Sequence, residues 1–323
     1  VHEASAQKIA GNFKYTEFRY ISIPKLIEAC DTIIFTILRA FFRRRNTSSF
    51  RYMLQRAYFI IKVARDLSIH NYDRLLFENE VMQTIALRLF GNYRQYRGKY
   101  YIHIHNEVTR TFGSIRYIMS ARIITVSDFI RQSLLRKLVS SGQSPDELTI
   151  SVLRNAVNDK LFNRTYSAKE IKEIRQRLGI NRKDKVILYS GRLSSEKGID
   201  ILVNAINRMK NRNFVLLVVG SSFFGTDIKN PFIHELTRLA KPNKHKIMFT
   251  GYMNYSEMPD VYAIADIVVV PSICNDAAPL AVIESVTAGL PIITTRMGGI
   301  PEYVNARCAI ILDADDNLEE NIA

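Results

Sequence analysis

The sequence predicts an α/β fold of two doubly wound domains. Short apolar runs alternate with helical patterns along most of the chain, and such alternation builds parallel sheets with right-handed crossovers. One polar, charged stretch, residues 157–184, interrupts the alternation. The length of 323 residues is about two domains' worth at roughly 150 residues each.

The elements follow in order. Residues 26–42 and 50–67 carry apolar side chains at mixed three- and four-residue spacing and read as helices, the first opened by Pro24. Residues 74–78 (RLLFE) read as a strand followed by a helix through Leu89. Residues 100–105 (YYIHIH) and 121–126 (ARIITV) are the next strands, and Ser127-Asp128 caps a helix over 129–138. A fourth strand spans 148–153, and a helix spans 168–178 within the polar stretch. The second series places strands at 185–189, 214–219, 246–250, 267–270, 292–295 and 309–312. Helices between them cover 199–209, 231–239, 255–264, 280–288 and 300–304. These strands are solidly apolar, as strands covered on both faces are. The expected domains are 1–165 and 166–323.

Hydrophobic residues make up 47% of the chain and charged ones 24%, which excludes disorder, collagen and coiled coil as readings of the whole. The net charge is +14 and very unevenly placed. Residues 1–165 hold 26 Lys+Arg against 13 Asp+Glu, whereas residues 166–323 hold 19 against 18. A basic domain thus precedes a neutral one, and its partners are expected to be anionic. The run Arg43-Arg44-Arg45 is either a solvated helix end or a contact for phosphate or anionic lipid. A nucleic-acid partner is not expected, because no recognised module appears and the basic-aromatic run YRQYRGKYY falls on helix ends and strand starts.

Cys30, Cys274 and Cys308 are far apart and form no metal or disulfide pattern, which fits a reducing, cytoplasmic location. The longest apolar stretch, 27–42, contains Glu28, Asp31 and Arg39, so no membrane span is expected. The chain starts at Val1 and stops at Ala323, and both ends of the natural protein are expected to lie beyond them.

Ligands of parallel sheets bind beyond the carboxyl ends of the strands. Three loops are placed there. Residues 190–198 (SGRLSSEKG) combine a glycine turn with Arg192 and Lys197, a fork and a point charge suited to a diphosphate. A solvated loop in which Glu196 pairs with Lys197 fits the fragment equally well. Residues 271–280 carry Asp276, and the following helix carries Glu284 among Ala281, Val282 and Ile283. Carboxylates there accept hydrogen bonds from vicinal hydroxyls, and a buried acid needs a partner. Pro279 suits the helix start, whose free amides favour an anion. Residues 296–302 (RMGGIPE) form the third loop.

The segments GRLSSEKG, FTGYMNYSEMPDVYAIADIVVVPS and DAAPLAVIESVTAGLPIITTRMGGIPE resemble the donor-binding domain of glycosyltransferase family 4, the group 1 glycosyl transferases of bacterial surface-polysaccharide assembly. The resemblance covers about residues 100–312. It implies a GT-B fold, two Rossmann-like domains facing a cleft, and a retaining transfer from a nucleotide diphosphate sugar, expected to be UDP-linked. It places the diphosphate on Arg192, Lys197 and Gly191 and the donor sugar on Asp276. It places the ribose on Glu284, with Gly251, Pro279, Leu280 and Ala281 also against the donor. The family's E-x7-E motif has Asp276 as its first acid here, and Ala278-Pro279 replace its usual Phe-Gly. In the first domain, ITVSDFIRQSLL and SVLRNAVNDKLF resemble family segments, matching Arg154, Asn155 and Phe162. The histidine approaching the donor sugar falls on His105, with His103 its rival on the same strand face. VHEASAQKIAG is the expected remnant of a glycine-rich first loop. No cofactor and no metal are expected, the nucleotide sugar being a substrate. The acceptor is expected to be a sugar or lipid-linked sugar, with an anionic membrane surface as the place where the basic domain docks. A nucleotide-sugar binder without transfer activity is the competing reading.

Overall fold

The computed structural model describes residues 15–41, 52–79, 81–146, 148–209, 213–221 and 231–323. The segment 1–11 and the run Arg43-Arg44-Arg45 noted above lie outside these residues. The chain separates into two compact units, Val1–Ile102 with Arg110–Arg122, and His103–Thr109 with Ile123–Ala323. The polar stretch 157–184 lies inside the second unit.

The first unit opens with two long helices, α1 (Lys25–Phe41) and α2 (Met53–Ile69), which pack together. The buried carboxylate of Asp31 on α1 accepts from the first-turn amides of α2, Leu54 at 2.8 Å and Gln55 at 2.9 Å. These amides have no partner within the helix, and the dipole favours an anion there. Residues Val81–Arg88, expected as an α-helix, form a 3₁₀ segment instead. The short helices α3 (Asn92–Tyr96) and α4 (Ile115–Met119) have too few turns to show periodicity in the sequence. Buried Asn92 donates to the carbonyls of Ala64 and Ala86, tying α2 and the 3₁₀ segment together.

Strands β1 (Leu75–Glu78), β2 (Tyr100–Ile104), β3 (Arg122–Thr125) and β4 (Ile150–Val152) form a four-stranded sheet in sequence order. β3 and β4 are parallel, with Thr125 opposite Val152. Helix α5 (Asp128–Ser140) follows β3, and the Ser127 side chain accepts from the Ile130 amide as expected of its cap.

Beyond α6 (Asp159–Phe162) and α7 (Ala168–Arg177), a six-stranded sheet forms from β5 (Lys185–Ser190), β6 (Phe214–Val219), β7 (Ile247–Gly251), β8 (Ile267–Val270), β9 (Ile292–Thr295) and β10 (Ala309–Leu312). Its order is β10-β9-β8-β5-β6-β7, and every pair is parallel. Alternate residues serve two cores, as a period of two requires. Val186, Leu188 and Val268 face Ile174 of α7, Val261 of α10 (Met258–Ile264) and Val282 of α11 (Leu280–Thr287). Tyr189, Leu216 and Val269 face Leu202 and Val203 of α8 (Ile199–Arg208) and Leu236 of α9 (Pro231–Ala240). A terminal helix α12 (Leu318–Ile322) closes the chain. The expected single helix over 255–264 divides, because Pro259 has no amide to donate, into a 3₁₀ turn (Tyr255–Glu257) and α10. No helix among the described residues is long and apolar enough to cross a membrane.

The strand order reverses between β5 and β8, which pair directly. The loops leaving their carboxyl ends are therefore neighbours, and such a switch point opens a crevice in the sheet edge. The approach is very close at Gly198, whose φ is +66° and whose Cα lies so near Pro271 that a Cβ would meet the carbonyl oxygen at 1.9 Å. Gly198→Ala is expected to lower unfolding stability by about 2–4 kcal/mol through backbone displacement and left-handed strain. Urea denaturation checks this, and an unchanged midpoint would show that the two loops are not held together there.

Candidate functional site

The β5 loop rises from Ser190 through Gly191, whose amide donates to the Val219 carbonyl at 3.0 Å. Gly220 packs on this loop with no space for a side chain, since a Cβ there would lie 1.9 Å from the Gly191 carbonyl oxygen. The Gly220 amide in turn donates to the Gly251 carbonyl at the end of β7. The carboxyl ends of β5, β6 and β7 are thereby laced by backbone hydrogen bonds. They line a cavity of about 420 Å³ with Gly191, Arg192, Ser221, Tyr252, Tyr255 and Glu284 on its wall.

Arg192 and Lys197 both precede α8, and Lys197 ends a 3₁₀ turn, Ser195–Lys197. Glu196 pairs with Arg192, one turn away, and not with Lys197. Lys197 instead reaches across to Asp276 on the β8 loop and hydrogen-bonds its carboxylate. The amides of Ile273 and Cys274 donate to the Glu196 carbonyl, at 3.1 and 3.2 Å, and fix the same two loops to each other.

Asp276 is held from the other side by the β9 loop. The Gly299 amide donates to its carbonyl at 2.7 Å. A Cβ on Gly298 would lie 2.3 Å from that oxygen, and one on Gly299 would lie 2.1 Å from the Ala277 carbonyl oxygen. The pair of glycines is what allows the two loops to nest. Beyond them Glu302 places its carboxylate on the first amides of α5, Asp128 and Phe129, each at 2.7 Å. Tyr303 donates to the Val126 carbonyl at 2.8 Å, and Asn155 donates to the Ala278 carbonyl at 3.2 Å. Arg154 bridges Asp128 and Glu302. The matching residues Arg154 and Asn155 thus lie against the acid-bearing loops, whereas Phe162 is core, packed edge-on against Tyr262.

Pro279 is the buried N-cap of α11, followed by Leu280 and Ala281 in its first turn. Glu284, on the second turn, is 5% exposed. Its partner is Tyr262 of α10, whose hydroxyl donates to the carboxylate at 2.7 Å. Burial raises the Glu284 carboxyl above its ordinary value, and the Tyr262 hydrogen bond opposes the rise. The Tyr262 phenol is itself pushed well up, by burial first and then by the neighbouring carboxylate.

The two strand histidines are in contact, His105 Nε2 lying 3.1 Å from His103 Nδ1. Glu107, two residues on, accepts from Ser133 at 2.7 Å and from Asn275, the neighbour of Asp276, at 3.1 Å. Sequence reasoning missed Tyr262, Glu107 and Glu302. Glu302 stood in a noted loop, but its partners are more than 170 positions away. A further cavity of about 450 Å³ lies at the opposite, amino edge of the sheet beside Ile267, Ile292 and Ala309, far from the convergent acids and cations.

Residues 170–322 match the family described as glycosyl transferases group 1. Spore coat protein SA of Bacillus subtilis is 28% identical over 211 residues, covering 63% of this chain and 55% of that protein. The lipopolysaccharide 1,2-N-acetylglucosaminetransferase of Salmonella typhimurium is 27% identical over 220 residues, covering 66% and 54%. The chain spans about half the length of the curated relatives it matches. Among solved structures, a glycosyltransferase from Rickettsia africae aligns with a TM-score of 0.69 at 20% identity, over 100% of this chain and 76% of that one. Anabaena Alr3699/HepE, in complex with UDP and glucose, aligns with a TM-score of 0.66 at 19% identity, over 81% and 70%. The α/β fold expected from the sequence is therefore the GT-B fold.

The buried acid sets a pH dependence. Because the Glu284 pKa is raised above 4.5 in the folded chain, the native state keeps a proton that the unfolded chain releases, and stability falls as pH rises through that interval. Glu284→Gln, which can still accept from Tyr262, is expected to melt at a higher temperature than the parent chain at pH 7. The gap should close below pH 4.5. Melting curves across pH check this, and a gap independent of pH would contradict it.

Proposed function

We propose that this chain, whose residues 170–322 belong to the group 1 glycosyl transferases, moves a hexose or N-acetylhexosamine from a nucleotide diphosphate sugar to an acceptor hydroxyl. The donor is UDP-linked and the anomeric configuration is retained. The observation that carries the reading is the convergence at one switch point of the β5 loop, with Arg192 and Lys197, and of the β8 loop and the helix after it, with Asp276 and Glu284; Lys197 pairs with Asp276, and Arg192 and Glu284 line a cavity of about 420 Å³.

The nucleoside diphosphate lies along the β5 and α11 loops, with the ribose hydroxyls on Glu284. Arg192, Lys197 and the first-turn amides of α11 face the diphosphate. Pro279 has no N–H, so Leu280 and Ala281 supply those donors. An ammonium has three donors, so Lys197 keeps Asp276 oriented while it binds a phosphate oxygen. Asp276 then accepts from donor-sugar hydroxyls. As the glycosidic bond to the phosphate breaks, the charge growing on the leaving diphosphate is stabilised by these fixed cations and dipoles, the largest contribution in many enzymes. The acceptor hydroxyl enters on the face the phosphate leaves and gives its proton to it, so no enzyme nucleophile is required. His105, positioned by His103, approaches the donor sugar. The two cations take the part a metal plays elsewhere, and the reaction uses no cofactor.

Residues 1–165 bind the acceptor and residues 166–323 the donor. The excess of 26 Lys+Arg over 13 Asp+Glu in the first part suits an acceptor linked to lipid at the inner face of a membrane, in polysaccharide or lipopolysaccharide assembly.

Isothermal titration with UDP tests the site. Lys197→Ala and Glu284→Ala are each expected to weaken UDP binding about tenfold or more, the loss of a hydrogen bond to a charged group. UDP binding unaltered by both substitutions would refute the assignment. Proton NMR of the product from a UDP-sugar panel tests retention, which an inverted anomer would exclude.

A further inference from the structure

The segment that leaves β2 carries a carboxylate that binds two other elements at once. Glu107 Oε1 accepts from the Ser133 hydroxyl of α5 at 2.7 Å, and its Oε2 accepts from the Asn275 side-chain amide at 3.1 Å. Asn275 immediately precedes Asp276, and Glu107 follows His105 by two positions. One side chain therefore bridges the segment bearing the histidine and the loop bearing the acid, across 168 positions of sequence. The β8 loop is otherwise tied through its backbone. The Ile273 and Cys274 amides donate to the Glu196 carbonyl, and the Asp276 carbonyl accepts from Gly299. Asn275 itself presses on Gly298, where a Cβ would lie 2.8 Å from its carbonyl carbon. Of these ties, the Glu107 bridge is the one that leads to the segment of His105.

We infer that Glu107 is a positioning residue, which sets the spacing of Asp276 from His105 and so fits the site to the sugar of the donor rather than to its nucleotide. This role rests on the donor reading above, in which those two side chains meet the sugar. A carboxylate suits the task. Ser133 and Asn275 each bring a donor, and a carboxylate offers two acceptor oxygens. Bonds to a charged acceptor are shorter and stronger than neutral ones, so the bridge resists drift of the loop. Asp276 already has Lys197 as a partner, but an ammonium on a flexible stem is a point charge and constrains direction poorly. The bond from Glu107 to Asn275 supplies the second constraint. A displacement of about 1 Å at a reacting group can cost about a hundredfold in rate, so a tether one residue from Asp276 is close enough to matter. The groups that meet the nucleotide have supports of their own, Glu196 for Arg192 and Tyr262 for Glu284. Loss of Glu107 therefore spares UDP.

Calorimetric titration with UDP, and with the UDP-sugar that the parent chain binds most tightly, tests this. Glu107→Ala is expected to weaken UDP-sugar binding about tenfold, through misaimed hydrogen bonds to a charged group, and to leave UDP affinity unchanged. Release of UDP from the same UDP-sugar, with water as acceptor, should fall about tenfold to a hundredfold in kcat. Glu107→Gln should restore most of both, because its amide accepts from Asn275 while donating to the Ser133 hydroxyl. In the chain without ligand, hydrogen exchange over residues 273–277 should quicken about tenfold in Glu107→Ala and return to the parent rate in Glu107→Gln. UDP-sugar affinity that stays at the parent value in Glu107→Ala overturns the inference. UDP and UDP-sugar affinities that fall together reduce Glu107 to a structural tie and overturn it as well. A parent chain that binds no UDP refutes the donor reading instead, and the exchange rates then decide by themselves whether Glu107 holds the acid loop.

Discussion

The site depends on backbone packed against backbone at the carboxyl edge of the six-stranded sheet. Gly299 donates to the Asp276 carbonyl, and a Cβ on Gly298 or Gly299 would intrude to 2.3 Å or less on the acid loop. The same economy recurs at Gly198 against Pro271 and at Gly220 against Gly191. Each contact removes one side chain from a loop junction and lets the loops of non-consecutive strands touch. The parallel order β10-β9-β8-β5-β6-β7 brings the loops near; the glycines bring them to hydrogen-bonding distance. Only then can Lys197 reach Asp276 across 79 positions of sequence.

Charge at this edge is paired, and the pairs differ in purpose. Arg192 with Glu196 is a half-exposed local pair of small worth to stability. Lys197 with Asp276 is more enclosed and spans two loops, so it orients side chains as well as neutralising them. Glu284 is different again. Its carboxyl is buried at the cavity wall, accepts from the Tyr262 hydroxyl, and its pKa is raised. A buried acid that lowers stability at neutral pH is the kind of local conflict that marks a functional position.

Much of the fold could be read in advance because buried parallel strands are apolar throughout. The strands Phe214–Val219, Ile267–Val270, Ile292–Thr295 and Ala309–Leu312 have the bounds their sequence suggested. The loops carrying Arg192, Lys197, Asp276 and Glu284 were legible for the same reason, since the ends of strands define them. What escaped was of two kinds. Helices of four or five residues, such as Asn92–Tyr96 and Asp159–Phe162, are shorter than the window of about 11–18 residues over which a helical period shows. Partners distant in sequence carry no local signal: Tyr262 for Glu284, Glu302 for the amides of Asp128 and Phe129, and Asn275 for Glu107. The need of Glu284 for a partner was readable, but the partner's identity was not. The choice of Arg192 over Lys197 by Glu196 followed from the 3₁₀ turn at Ser195–Lys197, which no sequence pattern announced.

The loops meeting at the β5–β8 switch point are proposed to hold a nucleoside diphosphate. A crystal structure of the chain grown with UDP tests this most directly. The diphosphate is expected between Arg192 and Lys197 at the start of Leu280–Thr287, with the ribose hydroxyls on the Glu284 carboxylate. UDP bound elsewhere, or bound here with its ribose turned away from Glu284, would contradict it.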